Sequence, residues 1–444
     1  MASTYLTRTI SSAGSETKGT FSAWIKRSVL GGASDYIWHT SEDANNDIKI
    51  LTNSSDSIRV RGINNGGVVV NLIPNKVFQD VSSWYHLVVA FDTTQATEAD
   101  RVKMYVNGVQ ITSFSSATYP SQNLNLKLNQ SGDRVTIGTA YDNGGSPAAA
   151  YWNGLMSQVI WVDGTAYAPT TFGSVNATSG EWTPNSSPSV TYGTNGYKLT
   201  FEDAVLGDDT SGNTNDFTMS GSGTSTKDCP SNVFATFNAL DTFYTTPTFT
   251  NGNTTLELNP SSSKDTYVPT TIGMTSGKYY TEAKFISGVA YTYIGITDKP
   301  ATASKILGDF TNSVRLRGDD GTTRINNVAS TTLTSFTTND IIGIAVDLTN
   351  LKIYYSKNGV WMNSANPSSG TGGLTITAPD HAYFFAWQCN SGSTVCQYSW
   401  NFGQGYFGTT AVASAGTAPS EGGIFEYDCP TGFQALCTKG INSF

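Results

Sequence analysis

The sequence predicts an all-β protein made of two antiparallel β-sandwiches in tandem. Three features support this prediction: the composition, the lack of helical periodicity and a hairpin phrase that occurs twice. Glycine supplies 44 of 444 residues, aromatic residues 12% and charged residues only 13%, and the charged share is about half the usual one. No window carries an amphipathic helix of more than about two or three turns. Each sandwich has enough residues to bury a core.

The repeated phrase is a strand that ends at Asp, followed by a Lys-x-Tyr strand that stops at Asn-Gly. The first copy occupies residues 84–92 and 102–109, and the second occupies 340–347 and 351–360. Asn-Gly adopts positive φ at low cost, which makes it a preferred turn between hairpin strands. Two hairpins of one design indicate two sandwich domains of the jelly-roll type.

Further strands fill the first half of the chain. They are predicted at residues 19–26, 57–61, 134–138, 155–162 and 196–201. The first of these alternates Phe21, Ala23 and Ile25, and the last alternates apolar residues likewise, as expected for strands with one buried face. The predicted organisation is a first sandwich at 1–227, a connector at 228–255, a second sandwich at 256–410 and a linker with a closing segment at 411–444.

An Asp-Cys-Pro phrase occurs at residues 228–230 and again at 428–430. Proline holds the preceding cysteine in an extended conformation, and an apolar stretch follows each time. This pattern predicts a strand that leaves its sheet and docks on a neighbour. The apolar residues at 425–444 are interpreted as an extra strand of the second sandwich, with attachment to a larger particle as the alternative.

Charge and hydropathy exclude several partners. The net charge is −9 and the chain has no Lys/Arg cluster, so we expect no nucleic-acid partner. The pairs Arg59/Arg61 and Arg315/Arg317 are interpreted as solvated strand edges. No apolar run approaches the ~20 residues that span a bilayer, and residues 1–5 lack signal-peptide features. We therefore expect no membrane insertion and synthesis in a cytoplasm.

The chain has an odd number of cysteines, five in all. Reduced thiols are the expectation, because a disulfide framework normally uses an even number. Cys389 and Cys396 could face each other across a hairpin, and a bridge between them is the less favoured alternative.

Short phrases in both halves resemble known families. The phrases of the first half lie at 6–14, 21–27, 84–86, 104–108, 152–154, 172–173 and 206–216, and those of the second lie at 277–282, 294–296, 340–347, 354–361 and 401–404. In order, they resemble a laminin G-like, concanavalin A-like sandwich and then a SPRY domain, as in tailed-bacteriophage virion proteins. The resemblance implies a non-enzymatic structural protein exposed on the particle, as a tail fibre, tail tip or head decoration. It also implies other virion proteins as partners and a homo-oligomer.

An enzymatic function is disfavoured on the residues themselves. Retaining glucanases of this fold use a Glu-x-Asp-x-x-Glu strand whose carboxyl groups lie ~5 Å apart, and no such strand occurs. The nearest acidic pairs are Glu98/Asp100, Glu202/Asp203 and Glu426/Asp428. His86 lies within an apolar strand and is interpreted as a packed residue, since no nucleophile phrase accompanies the chain's histidines.

A calcium site is a minor hypothesis. The loop 209–216 places side-chain oxygens at alternate positions, the spacing of hard-cation loops. The candidate ligands are Asp209, Ser211, Asn213 and Asn215. Ser220 stands where an EF-hand has its bidentate Glu, so the favoured interpretation is a run of turns stabilised by their own side chains. No cofactor is expected otherwise.

A glycan-binding surface is the sharper hypothesis. Sugars are held by aromatic faces together with amide and carboxylate groups on loops. The candidates are Tyr141, Asp142, Asn143, Tyr151 and Trp152, with Tyr36, Trp38 and Trp361 as further aromatic residues. The alternative for Trp152 is that it caps the core. Host-surface polysaccharide is the expected ligand, and a purely structural capsid decoration protein is the alternative function.

Overall fold

A computed structural model of the chain describes residues 4–32, 34–141, 147, 150–202, 205–242, 246–258, 266–288, 291–301, 305–390 and 395–444. The chain separates into two compact units, Met1–Ser225 and Thr226–Phe444. Each unit has its own apolar core. In these residues the only α-helix is α1, Thr438–Ile441, and no helix is long and apolar enough to cross a membrane.

Every strand pair described in the first unit is antiparallel. The strands are β1 Tyr5–Thr9, β2 Lys18–Arg27, β3 Tyr36–Asp43, β4 Asn46–Thr52, β5 Ile58–Asn64, β6 Gly67–Pro74, β7 Tyr85–Asp92, β8 Val102–Val106, β9 Val109–Gln110, β10 Phe114–Thr118, β11 Arg134–Ile137, β12 Gly154–Asp163, β13 Gly173–Val175, β14 Trp182–Pro184, β15 Tyr197–Leu199 and β16 Thr218–Ser220. Two short 3-10 helices are Glu98–Asp100 and Pro169–Thr171.

The first unit is a sandwich of two sheets. The larger sheet has the order β10-β6-β5-β4-β3-β11-β1-β16 and the smaller has β15-β12-β2-β7-β8-β9, while β13 and β14 form a separate ribbon. Its core includes Phe21, Trp38, Val60 and Trp161. These side chains meet between the sheets because alternate residues of a strand point to one face.

Strand β2 differs from its prediction, because both of its faces are buried. Phe21, Ala23 and Ile25 point into the core with no exposed surface. The intervening residues Ser22 and Trp24 are also buried, at 1% and 3% exposure. Their face of the sheet is covered by the segment that follows β12, which sequence periodicity on β2 alone could not reveal.

The second unit is also almost wholly antiparallel. Its strands are β17 Thr248–Thr250, β18 Thr255–Leu258, β19 Thr266–Pro269, β20 Lys278–Ser287, β21 Thr292–Thr297, β22 Ser313–Arg317, β23 Thr323–Ile325, β24 Val328–Ala329, β25 Ile341–Asp347, β26 Lys352–Lys357, β27 Val360–Trp361, β28 Leu374–Thr375, β29 Phe384–Cys389, β30 Cys396–Asn401, β31 Tyr406–Phe407, β32 Thr410–Ala411 and β33 Gln434–Ala435. Two 3-10 helices are Met362–Ser364 and Pro367–Ser369.

These strands form a second sandwich. The larger sheet has the order β17-β18-β30-β20-β25-β26-β27, to which β28 and β33 add at the side, and the smaller sheet has β19-β29-β21-β22-β23-β24. The core lies between them and includes Ile294, Ile344 and Trp400. Phe237 and Phe249, from the segment expected to be a connector, are also part of this core.

The two sandwiches share one topology. The strands β1 to β9, β11 and β12 of the first unit occupy the same sheet positions, in the same chain order, as β19 to β27, β29 and β30 of the second. The correspondence extends to ion pairs. Lys18 pairs with Asp92 at 3.3 Å, and at the matching strand positions Lys278 pairs with Asp347 at 3.0 Å. One architecture is therefore used twice.

The two predicted hairpins are confirmed, and the second strand of each is followed by the same Asn-Gly turn into a third, short strand, β9 or β27. β7 pairs with β8, and β25 pairs with β26. The φ angles are 49° and 79° at Asn107 and Gly108, and 50° and 81° at Asn358 and Gly359. Positive φ at both central residues defines the turn that best matches the twist of hairpin strands.

The prediction of reduced thiols is wrong for one pair, because Cys389 and Cys396 form a disulfide. Nor does the bridge close a hairpin ladder: Cys389 ends β29 in the smaller sheet, and Cys396 begins β30 in the larger. Their Cα atoms are 6.3 Å apart, within disulfide range. The chain crosses from one sheet to the other here, so two core-facing cysteines meet. Cys229, Cys429 and Cys437 are free.

The C-terminal segment adds a strand to the second sandwich, as its apolar residues indicated. β33 pairs in parallel with β20, at Tyr279 and Tyr280. Phe425 and Phe433 of this segment are buried at 1% exposure each. The segment therefore covers the outer face of the larger sheet.

Candidate functional site

Two of the four outer sheet faces are covered by the segment that follows the last long strand of each unit. On the smaller sheet of the first unit, Ile160 is buried in a cluster with Phe172. On the larger sheet of the second unit, the ring centroid of Tyr280 lies 4.9 Å from that of Phe425. Both faces are therefore closed by the chain itself.

A third outer face, on the smaller sheet of the second unit, is covered by the long connection between β21 and β22. Tyr267 stacks on Phe310 of this connection at 5.6 Å between ring centroids. Gln388 Oε1 accepts a hydrogen bond from the Leu307 N–H at 2.6 Å. This connection runs from residue 298 to residue 312.

On the outer face of the larger sheet in the first unit, β5 and β6 have no such cover among the residues described, whereas Thr136 and His39 are buried beneath the stretch that follows β11. The strands equivalent to β21 and β22 are β3 and β4, and only residues 44 and 45 separate them. A turn that short cannot fold back over the sheet. We call the outer surface of β1, β11, β3, β4, β5 and β6 the open face.

The open face carries a row of polar side chains. Thr136, His39, Lys49, Arg61 and Asn71 are directly opposite one another on five successive strands. Residues in direct register project from the same face. Neighbouring strands are about 4.8 Å apart, so the row is about 19 Å long.

A group of tyrosines lies at one end of this row. We call Tyr5, Tyr141 and Tyr151 the tyrosine group. Tyr5 stacks with Tyr151 and meets Tyr141 edge to face, both at 6.1 Å between ring centroids. The Arg134 guanidinium lies 4.0 Å from the Tyr141 ring centroid, a cation–π contact. All four side chains are half-buried, so they present partly exposed apolar and cationic surface together.

Two members of the row, His39 and Lys49, are joined by a buried carboxylate, that of Asp47. Lys49 Nζ lies 2.6 Å from Asp47 Oδ2, and that carboxylate oxygen is 3.6 Å from His39 Nε2. The Tyr141 N–H donates to His39 Nδ1 at 3.4 Å, so the ring proton resides on Nε2. Burial lowers the pKa of His39, which keeps the ring neutral. The Lys49 charge is thus matched by Asp47.

At the other end of the row lie Arg59 and Arg61, which we call the arginine pair. They are two residues apart on β5 and share its outer side, since Ile58 and Val60 lie in the core. The interpretation of these residues as a strand edge is wrong. β5 lies between β4 and β6. The other pair, Arg315/Arg317, is likewise on an interior strand, β22, between β21 and β23.

The predicted glycan-binding residues divide into three sets. Tyr141 and Tyr151 come together in the tyrosine group. Asp142 and Asn143 lie outside the described residues. Trp152 is half-buried and packs against the core of the first unit, and a Cβ at residue 154 would lie 3.0 Å from its ring. Its position therefore agrees with the alternative that it caps the core.

The remaining aromatic candidates lie elsewhere. Trp38 is 1% exposed, stacks on Trp161 at 5.0 Å and donates from Nε1 to Tyr197 Oη at 2.8 Å. Trp38 is a core residue and has no surface to offer a ligand, so the prediction that it contacts one is wrong. A bulge in β3 after Tyr36 sets which side chains face inward. Tyr36 is half-buried near Lys49, whose Nζ is 5.9 Å from its ring centroid.

Trp361 belongs to the second unit, where it ends β27. It is half-buried and packs against Tyr280, with ring centroids 6.1 Å apart. Its neighbours are the side chains that lie beneath the C-terminal segment. Trp361 therefore belongs to the covering of the second sandwich.

The loop 209–216 is held together by its own side chains. Asp209 accepts hydrogen bonds from the backbone N–H groups of Lys198, Ser211 and Asn215, each at 2.9 Å. The side-chain amides of Asn213 and Asn215 donate to the Gly196 carbonyl at 3.0 and 2.8 Å. No cluster of three or more His, Cys, Asp or Glu side chains suited to a metal occurs in the described ranges.

His86 is packed between two indoles. Its ring stacks on Trp24 at 4.8 Å and on Trp182 at 5.9 Å. Trp182 Nε1, which can only donate, lies 2.9 Å from Nδ1, so Nε2 carries the proton and donates to Ser22 Oγ at 2.9 Å. Burial lowers the pKa of His86 to about 3. In this tautomer the ring cannot take a proton from Ser22.

Three residues of the open face were missed by sequence reasoning: Tyr5, Arg134 and Asn71. Each stands in a short strand with no motif of its own, and they come together only through strand register. The alternation of Arg59 and Arg61 was the single local signal, because it places two cations on one face of a strand.

Two family models match the chain. The model of the concanavalin A-like lectin/glucanases superfamily matches residues 2–170, and the model of the SPRY domain matches residues 278–395. The comparison with curated proteins finds no match. The two matched stretches fall in the first and second units respectively.

Solved structures with similar folds include three from two species. The human HERC1 SPRY domain is 19% identical, covering 37% of this chain and 96% of that one, with a TM-score of 0.31. The SAP-like pentraxin of Limulus polyphemus is 17% identical, covering 37% and 71%, with a TM-score of 0.28. Another human SPRY domain is 18% identical, covering 36% and 95%, with a TM-score of 0.27.

Proposed function

We propose that this chain, which carries a laminin G-like, concanavalin A-like domain followed by a SPRY domain, is a non-enzymatic bacteriophage particle protein that binds saccharides on the host surface. The binding site is the open face of the first unit. The observation that carries the proposal is the half-buried tyrosine group beside Arg134 on this face.

The chemistry of the open face suits a sugar ring. The C–H face of a pyranose packs on an aromatic ring, and its hydroxyl groups exchange hydrogen bonds with amide and guanidinium groups. Tyr141 and Tyr151 would supply the stacking surface. Arg134, Lys49 and Asn71 would supply the hydrogen-bonding groups along the row. A row about 19 Å long favours a chain of sugars over a single small molecule.

A non-enzymatic role is supported by the placement of the groups that could have been catalytic. His86 is buried between two indoles and donates to Ser22. Among the acidic side chains of β3 and β4, Asp47 is buried and paired with Lys49, whereas Glu42 and Asp43 are exposed at the end of β3. Retaining and inverting glycosidases both need two carboxyl groups across the scissile bond.

Binding should depend on the tyrosine group. We expect the double variant Tyr141→Ala/Tyr151→Ala to bind bacterial surface polysaccharides about tenfold more weakly or worse, since each aromatic contact contributes roughly 0.5–1.5 kcal/mol. Isothermal titration against a panel of purified polysaccharides measures this. Tyr291→Ala is the matched control, because Tyr291 is 47% exposed in the second unit and should leave binding unchanged.

If no polysaccharide binds the native chain, the purely structural capsid decoration role replaces this proposal.

The location of the protein on a virus particle has a separate test. Labelling of the chain in images of intact particles should place it on the outside of a head or tail, in several copies. Absence from purified particles would remove the virion role.

A further inference from the structure

We infer that the saccharide bound at the open face is acidic, with carboxylate or sulfate groups held by the arginine pair, Arg59 and Arg61. This inference rests on the proposed function, because it names the class of saccharide for the same site. It would add a charge-based selectivity to the stacking supplied by the tyrosine group.

In the described residues, the arginine pair lacks a neutralising acid. Within the described ranges, neither Arg59 nor Arg61 has a carboxylate within ion-pair distance. The other Arg-x-Arg pair of the chain is neutralised. Arg315 lies 3.3 Å from Asp309, and Arg317 lies 2.6 Å from Asp319. The two arginine pairs therefore share one sequence pattern but differ in whether carboxylates neutralise their charge.

Neutral groups hold Arg59 in place. Its Nε donates to Asn71 Oδ1 at 2.7 Å, and Asn71 Nδ2 donates in turn to Ser116 Oγ at 2.8 Å. This chain of hydrogen bonds crosses from β5 to β10. Among the described contacts it leaves the two terminal guanidinium nitrogens of Arg59 unbonded. They form the fork that carboxylate and sulfate groups fit in a bidentate manner.

Without a nearby anion, the two positive charges of the arginine pair destabilise each other. Like charges that share one face of a strand repel each other. Burial, and then the charge of Arg61, lower the pKa of Arg59. Lys49, the direct neighbour of Arg61, already has its charge matched by Asp47. A bound anion would relieve the repulsion in the arginine pair.

Cations without a carboxylate partner lie at two places along the open face, the arginine pair and Arg134. Arg134 also lacks a carboxylate partner in the described structure and lies three strands from Arg61, about 14 Å across the sheet. The chain as a whole has a net charge of −9, so a cationic face is a local exception. Repeated acidic groups on a saccharide chain would meet the arginine pair at one end and Arg134 at the other. A nucleic acid requires a denser and more continuous set of cations.

Dextran, carboxymethyl-dextran and dextran sulfate of equal length are suitable probes, because they share one sugar backbone and differ in charge. We expect the full chain to bind both acidic dextrans at least about tenfold more tightly than dextran, with the difference shrinking as salt is added. The double variant Arg59→Gln/Arg61→Gln should lose most of that difference, because only Arg134 remains, and should still bind dextran. Arg317→Gln, at a neutralised arginine, should behave as the native chain does.

A second variant separates geometry from charge. Arg59→Lys/Arg61→Lys keeps both charges without the planar fork, and should retain an intermediate preference. Thermal melting of each variant establishes that it folds. Equal affinity for neutral and acidic dextrans overturns the inference while leaving the proposed function intact, since the tyrosine variants would still weaken both.

Other outcomes also overturn it. Failure to bind either acidic dextran does so directly. Inorganic polyphosphate of matched charge, if bound as tightly as dextran sulfate through the same arginines, would assign the arginine pair to phosphate polymers. The proposed function fails separately, when no polysaccharide of the panel binds and the tyrosine variants change nothing.

Discussion

Glu282 shows how a single buried carboxyl group organises the second unit. It has no exposed surface and lies on the outer side of β20. Its Oε1 and Oε2 accept hydrogen bonds from the backbone N–H groups of Tyr427 and Glu426, each at 2.8 Å. The Tyr280 hydroxyl donates to Oε1 at 3.1 Å. Glu282 thereby ties the C-terminal segment to the sheet that this segment covers.

The stability of the second unit should depend on the ionisation of Glu282. Burial raises its pKa from the ordinary value of 4.5 to about 7. Between these values the folded carboxyl binds a proton that the unfolded one has lost. Stability contributed by this group is therefore complete below about pH 4.5 and falls as the pH rises toward 7, by on the order of 3 kcal/mol.

Glu282→Gln should flatten this dependence. We expect its free energy of unfolding to change less than that of the native chain between about pH 5 and pH 7.5, as measured by chemical denaturation. Glu257→Gln, at an exposed carboxylate of β18, is the control. The difference between each variant and the native chain isolates Glu282, because other carboxyl groups with raised pKa, such as Asp133, cancel. Parallel curves for Glu282→Gln and the native chain would contradict the expectation.

At the scale of elements, the two Asn-Gly hairpins are the most predictable part of the fold. The Asn358 Oδ1 atom accepts the Ile341 N–H at 2.9 Å, and in the first unit the Asn107 Oδ1 atom accepts the His86 N–H at 2.8 Å. In both units the asparagine side chain thus fixes the Asn-Gly turn to the neighbouring strand, β7 or β25. Asn is favoured over other residues here because it tolerates the left-handed region and offers this acceptor.

Asn358→Ala should destabilise the second unit by about 2 kcal/mol. Alanine at φ of 50° adopts a strained conformation, and the N–H of Ile341 loses its side-chain acceptor. Denaturant unfolding measures the loss. Val360→Ala, two residues further on at a side chain that is 72% exposed, should change stability by less than about 0.5 kcal/mol. Equal effects of the two substitutions would mean that the turn geometry adds nothing.

Strand properties that depend on distant segments of the chain were harder to predict. The alternation in β2 correctly indicated which side chains enter the core. It did not show that Trp24 on the other face is buried as well, since that depends on His86 of β7, whose ring stacks on Trp24 and on Trp182. The interior position of β5 was missed for the same reason: strand order in a sheet is set by long-range pairing.

At the scale of the whole molecule, each unit has the features of an independent domain. Its core residues come from its own strands, and the same topology is completed twice. The fragments 1–225 and 226–444 should therefore each fold alone. Calorimetry should show one cooperative transition for each fragment. A fragment without such a transition would show that its sandwich depends on the other.

Reduction should affect only the second fragment. The bridge between Cys389 and Cys396 closes a loop with a sequence separation of 7, and such a cross-link stabilises a fold by roughly 2–3 kcal/mol. We expect a reductant, or the variant Cys389→Ala/Cys396→Ala, to lower the melting temperature of 226–444. The fragment 1–225 contains no cysteine and serves as the internal control. A drop in its melting temperature would point to an effect unrelated to the bridge.

The sequence by itself determined the all-β class, both hairpins and the added strand at the C-terminus, because strand alternation, Asn-Gly turns and apolar spacing are local properties. Only the tertiary structure decided that Trp38 belongs to the core, that Cys389 and Cys396 bridge the two sheets, and that Tyr5 joins Tyr141 and Tyr151. Those outcomes depend on strand register and on which face a later segment covers. Because the turn between β3 and β4 is short, it leaves β5 and β6 uncovered on the outer face of the sheet. Only the folded surroundings of that face identify it as the candidate site.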